Sequence, residues 1–258
     1  MKIFKQIYLV TVLTFASCAF LFASNTTLAE AEEAFRTGDF ARSIELFEAV
    51  IAQELAENNR ESAQLHYNLG NAYFRNNELG KAILNFERAL LLDPGNSDIR
   101  HNLHFAQHHT IDHIELSATT FLSNWIRGVR NQLSSNGWAM IAIVLFILFL
   151  GCIALFLFVS YVWAKKTAFY SGIILLLLLV VANVFAFRQK DERINRHFAI
   201  VMPTGISIHA SPDANSNQLF QLHEGTKVRI RNTDGNWYEI EIANGTVGWT
   251  LRSNVERI

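Results

Sequence analysis

The sequence predicts a multidomain protein: an all-α repeat domain, a two-helix transmembrane hairpin and a small all-β barrel. Three observations carry this. Apolar residues recur at helical spacing from about residue 30 to residue 109, and one pattern occurs there twice. Two long uncharged apolar runs follow, each long enough to cross about 30 Å of hydrocarbon. From Phe198 onward the pattern changes to short alternating strands separated by turn residues.

Composition narrows the function. Of 258 residues 50% are hydrophobic, and the net charge is −1, so no basic field points to nucleic acid. The cysteines, Cys18 and Cys152, both lie in apolar runs. Neither a disulfide framework nor a cysteine zinc site can be built from them.

Lys2 and Lys5 precede an apolar stretch from Ile7 to Ala23, the layout of an export signal over residues 1–23. Cleavage sites are available at Ala23–Ser24 and at Thr27-Leu28-Ala29. Phe15-Ala16-Ser17-Cys18 approximates a lipoprotein box, and an uncleaved anchor helix is the third alternative. Each alternative sends the following domain across a membrane.

The repeat domain spans 30–109. Its diagnostic stretch is His66-x2-Leu69-Gly70-x2-Tyr73, then Ala82-x3-Phe86, Ala89 and Pro94. Gly70 and Ala82 let two helices approach, Tyr73 and Phe86 fill the space between them, and Pro94 ends the second helix near Asp93. The pattern resembles the tetratricopeptide repeat, with His66 where tryptophan is usual. An earlier copy runs through Gly38-Asp39-Phe40 with Ile44, Phe47 and Val50 as its buried stripe. Phe47 and Phe86 are 39 residues apart instead of 34, which puts five extra residues between the repeats, in Glu54 to Glu61. Asn96 to Gln107 reads as a capping helix with Ile99, Leu103 and Ala106 on one face.

Leu65, Leu69, Ala72 and Tyr73 are expected to face the partner helix. Gln64, Tyr67, Asn71 and Phe74 then share the other face. Those four are the candidate partner groove, with packing against a neighbouring element as the alternative. His101, His104, His108, His109 and His113 crowd the capping stretch, and turn-spaced pairs can place two imidazoles on one metal. A metal-responsive site completed by Asp112 is the alternative function, set against a merely polar helix face. No metal or cofactor is otherwise implied.

Residues 110–136 form a linker. In it Phe121, Leu122, Trp125, Ile126, Val129 and Leu133 make an apolar stripe suited to a helix in the headgroup plane. Ser134-Ser135-Asn136 can cap the next helix. The spans are placed at 137–163 and 168–187, with Lys165-Lys166 as the turn and Asn183 available to bond the first span. The export signal places both flanking domains outside the cytoplasm. Arg127, Arg130, Arg188, Lys190, Arg193 and Arg196 would, by the positive-inside rule, place the flanks inside. The signal acts first in synthesis, so the outside topology is preferred.

The barrel is placed at 197–258. Tyr238, Ile240 and Ile242 share one strand face, and Trp237, Glu239 and Glu241 the other. Asp234-Gly235 and Asn244-Gly245 mark hairpins. Gly225-Thr226-x-Val228, Trp237-Tyr238 and Asn244-Gly245-x2-Gly248-Trp249 together resemble a bacterial SH3-type domain. That resemblance implies binding of cell-wall material or of protein partners. Trp237 and Trp249 are the aromatic candidates for a ligand surface, with packing in the core as the alternative, favoured for Trp249.

The whole order resembles BatE-type proteins of the aerotolerance operon. So do Asp98-Ile99-x2-Asn102-Leu103, Thr110-Ile111-Asp112-x-Ile114-Glu115 and Leu133-Ser134-Ser135-x-Gly137-Trp138. The resemblance implies a von Willebrand-type Bat partner in the membrane and a role in oxygen or envelope-stress tolerance; with the export signal and the two spans, the chain is read as a bacterial inner-membrane scaffold with both domains in the periplasm. The sequence holds no nucleophile elbow, phosphate loop, HExxH motif or paired-carboxylate constellation. It is therefore read as non-enzymatic.

Overall fold

The computed structural model describes residues 27–59, 61–112 and 121–258, and of residues 121–124 and 127 the backbone alone. The export signal and His113 lie outside the described residues.

Five helices build the repeat domain: α1 (27–37), α2 (Phe40–Asn58), α3 (Ala63–Arg75), α4 (Leu79–Leu92) and α5 (Ser97–Gln107). The starts of α2 to α5 have local causes. The side chains of Asp39, Ser62 and Asn96 accept hydrogen bonds from the first free amides of α2, α3 and α5. The turns before α2 and α4 pass through left-handed residues, Gly38 at φ 85° and Asn77 at φ 61°. The α3 and α5 caps, Ser62 and Asn96, are one 34-residue period apart. Helix α2 has 19 residues against 14 in α4, so the five extra residues form a longer helix rather than a loop. Each added residue extends the hydrogen-bonded ladder by about 1.5 Å.

The core of this domain is the expected one. Ile44, Phe47, Val50, Leu65, Leu69, Ala72, Tyr73, Ala82 and Phe86 are all buried, as are Ile99, Leu103 and Ala106 of α5. A β-carbon at Gly70 would come within 2.7 Å of the Phe86 ring, which fixes why glycine stands there. His66 is buried at the tryptophan position, and its Nδ1 lies 2.9 Å from Oδ1 of Asn85.

Helix α6 (Phe121–Arg130) leads into α7 (Ser135–Phe158) and α8 (Val162–Asn195). Both α7 and α8 are long and apolar enough to cross a membrane, with mean hydropathies of 3.2 and 2.4 in their most apolar windows. They pack through small residues: Ala142, Ala168, Gly172 and Ala182 are buried. The turn between them falls at Val159 to Tyr161, so Lys165 and Lys166 lie within α8 instead of forming the turn. Long lysine stems can extend from a helix to a polar boundary, so their charge does not force a break. Asn183 bonds Leu179 O of its own helix at 2.9 Å, not α7. Helix α8 also continues eight residues past Phe187.

That extension is held at the open end of the hairpin. Gln189 Nε2 donates to Arg130 O and Leu133 O at 2.9 and 2.8 Å, Trp138 Nε1 donates to Arg130 O, and Arg130 pairs with Glu192 at 2.9 Å. Ser134 caps α7 through Gly137 N.

The C-terminal unit is a seven-stranded antiparallel sheet: β1 (Phe198–Val201), β2 (Ile206–His209), β3 (Gln218–Leu222), β4 (Lys227–Asp234), β5 (Trp237–Glu241), β6 (Val247–Leu251) and β7 (Val255–Arg257). Their order is β3-β2-β6-β5-β4-β1-β7. Ala199, Val201, Ile208, Val228, Tyr238, Ile240 and Ile242 form its core. Gly235 and Gly245 take positive φ in the two expected hairpins.

Candidate interaction surfaces

The repeat domain and the barrel are docked on each other. Strand β1 is the hinge of this arrangement because its pleat sends alternate side chains to opposite faces. Ala199 and Val201 enter the barrel core, while Ile200 joins the core of the repeat domain together with Ile258. Gly225, at φ 84°, presses on α4 and the turn after α5: a β-carbon there would meet Ile83 Cδ1 at 2.7 Å and Thr110 Cγ2 at 2.8 Å. The glycine of the barrel's Gly-Thr motif is thus required twice, by its backbone and by the contact.

Charged groups ring this apolar seam. Lys227 Nζ reaches the buried Glu87 at 2.7 Å. Arg88 donates to Glu256 at 2.9 Å and to the Arg257 carbonyl at 2.8 Å. Arg196, left-handed at the end of α8, donates to both oxygens of Glu61 at 2.6 and 2.7 Å. Burial would raise the Glu61 pKa, but the Arg196 guanidinium holds the carboxyl below its ordinary range.

Asp112 closes the seam from the repeat side. Its Oδ2 accepts from His223 N at 2.7 Å and Thr226 Oγ1 at 2.6 Å, and its Oδ1 lies 2.7 Å from His223 Nδ1. Burial opposes ionisation here, yet these donors keep Asp112 below the usual aspartate range. Asp112 therefore serves the barrel contact, and the expectation that it completes a histidine metal site is corrected: its carboxylate is engaged by His223 and Thr226 of the barrel. No cluster of three or more metal-ligating side chains occurs among the described residues.

The four candidate groove residues lie along α3. Gln64 is exposed, and Tyr67, Asn71 and Phe74 are half-buried. Helix α5 lies against the last three. Asn102 Nδ2 donates to Tyr67 Oη at 3.0 Å and Asn71 Oδ1 at 2.8 Å, and the Phe74 ring lies 5.5 Å from that of Phe105. Sequence reasoning did not single out Phe105, which is 51% exposed and extends the aromatic surface onto α5. The 34-residue period pairs it with Asn71, and that signal was available.

On the barrel, Trp237 is half-buried on the outer sheet face, its ring 5.6 Å from that of His209. Trp249 does not pack in the core. It pairs with Glu239 and His209 on that same outer face, because Tyr238 and Ile240 set the register and give the inward positions of β6 to Gly248 and Thr250. His209 and Trp249 thus join Trp237 on one aromatic surface.

Residues 28–97 match the tetratricopeptide repeat family model. Residues 204–256 match the bacterial SH3 domain model. A comparison with curated proteins found no match. Both matched domains are of kinds that typically bind rather than catalyse, so the chain has a protein-interaction role.

Proposed function

We propose that the chain is a membrane-anchored, non-enzymatic scaffold of the bacterial envelope, of the BatE type. In this reading α7 and α8 are its transmembrane hairpin, and both domains face the periplasm. The repeats hold a protein partner, a von Willebrand-type Bat protein, along Gln64, Tyr67, Asn71 and Phe74. The barrel touches cell-wall material or a second partner through Trp237. A link to oxygen or envelope-stress tolerance follows from the resemblance to BatE proteins.

The observation that carries the reading is the placement of two docked interaction domains at the open end of one apolar hairpin. A bacterial SH3 domain suits an extracytoplasmic setting. Two of the cations that argue for a cytoplasmic flank, Arg130 and Arg196, have structural uses in their pairs with Glu192 and Glu61. That supports giving the export signal priority.

The test is in-cell photocrosslinking from position 64, whose side chain is exposed. The reading expects a cross-link to a von Willebrand-type membrane protein that weakens when Asn71 is replaced by arginine. Cross-links confined to cytoplasmic proteins would refute it.

A further inference from the structure

The uncovered end of the repeat stack carries two adjacent imidazoles. Helix α5 stands one 34-residue period after α3, so His104 occupies the position of Gly70. At Gly70 the Phe86 ring of α4 covers the helix. His104 has no such cover among the described residues and is exposed, as is His108. The His108 amide donates to the His104 carbonyl at 3.1 Å, so the two side chains stand one helical turn apart on one face. Their ring centroids are 4.4 Å apart, with planes at 84°.

We propose that His104 and His108 form a two-imidazole site for a divalent transition-metal ion. A metal bound to both at about 2.0–2.1 Å would hold the ring centroids roughly 4.5–5 Å apart, close to the spacing already present. Metal binding would turn the two exposed rings from this edge-to-face contact so that one nitrogen of each faces the ion. Imidazole selects zinc, copper(II) or nickel(II) over calcium or magnesium. The site lies at the C-terminal end of α5, where the last carbonyls favour a cation. His109 is differently engaged: its Nδ1 lies 2.9 Å from the Phe105 carbonyl, and its ring packs 4.8 Å from that of Phe105. With two protein ligands the remaining coordination positions belong to water or to a ligand from another molecule. The inference is independent of the partner reading above.

The full chain, in detergent and without a histidine tag, is titrated with zinc, nickel(II) and copper(II) at pH 7.5 in a background with Cys18 and Cys152 replaced by serine. Calorimetry should find one saturable site per chain. His104→Ala and His108→Ala should each weaken it on the order of a hundredfold, because losing one imidazole removes the effective concentration that joins the two. His109→Ala should leave it unchanged. Both substituted positions are exposed and alanine favours helix, so circular dichroism should show an intact fold. No saturable binding of any of the three ions would overturn the proposal, as would equal binding by the His104→Ala, His108→Ala double variant. So would a loss in His109→Ala as large as in His104→Ala.

Discussion

Gly38 and Asn77 stand 39 residues apart and hold the same left-handed turn, at φ 85° and 61°, ahead of α2 and α4. One repeat uses the residue for which this conformation costs nothing. The other uses asparagine, which tolerates it at a cost. A β-carbon at Gly38 would meet nothing within 4 Å, so its replacement tests conformation alone. Gly38→Ala should lower stability by about 1–2 kcal/mol. Asn77→Gly should be neutral or stabilising by a few tenths of a kcal/mol. Thermal denaturation of the two variants checks the contrast, and equal losses would contradict the assignment.

Gly70 poses the opposite case. Its backbone is helical, and the obstacle is the Phe86 ring 2.7 Å from where a β-carbon would sit. Gly70→Ala should cost about 1–3 kcal/mol through overpacking despite better helix propensity. Adding Phe86→Leu should recover part of that loss, giving a favourable coupling in a double-mutant cycle.

The Asp112 clamp should govern docking of the barrel on the repeats. Asp112→Asn keeps the shape but loses charge and one acceptor, and should cost about 1–3 kcal/mol. Asp112→Ala and Thr226→Val should be non-additive, since either removes the 2.6 Å hydrogen bond between the two side chains. Asp112 has a folded pKa below 3.8, so its contribution is complete above that value and fades as pH falls through the folded pKa. Hydrogen exchange at the amides of His223 and Gly225 is the local readout.

His66 gives a pH dependence in a different window. Burial lowers its pKa from 6.5, while the Asn85 hydrogen bond raises it and the nearby Arg88 lowers it further; Glu61 and Arg196 act in opposite senses. The folded state thus favours neutral imidazole. The unfolded chain takes up its proton first as pH falls, so stability is full above about 6.5 and declines below it. A melting series from pH 7.5 to 5.5 should show this decline, and His66→Phe should flatten it.

Much of this architecture was legible in the residues. The repeat boundaries follow from the recurring motif, with Phe47 and Phe86 39 residues apart, and the buried stripes of α2 to α5 follow from helical spacing. The apolar hairpin was legible from length and missing charge, although its turn was not, because Lys165 and Lys166 read as a break and instead lie within α8. Strand β3 was missed because Gln218–Leu222 is mostly exposed and carries no clean alternation. The place of Trp249 was misread because its size suggests burial, whereas strand parity decides which face it takes. Asp112 and His223 are 111 residues apart, and no local pattern announces that they meet. Gln64, Tyr67, Asn71 and Phe74 were legible as one face of α3, but not the α5 side chains that pack against the last three.

The central claim is that the repeats and the barrel are docked together on the outer side of a membrane hairpin. Single cysteines at Asn58 and Asn215, both exposed, report on it when Cys18 and Cys152 are serine. A membrane-impermeant thiol reagent, applied to cells with a permeabilised outer membrane, should label both. Labelling of only one would contradict the docking, and labelling of neither before lysis would contradict the placement in the envelope.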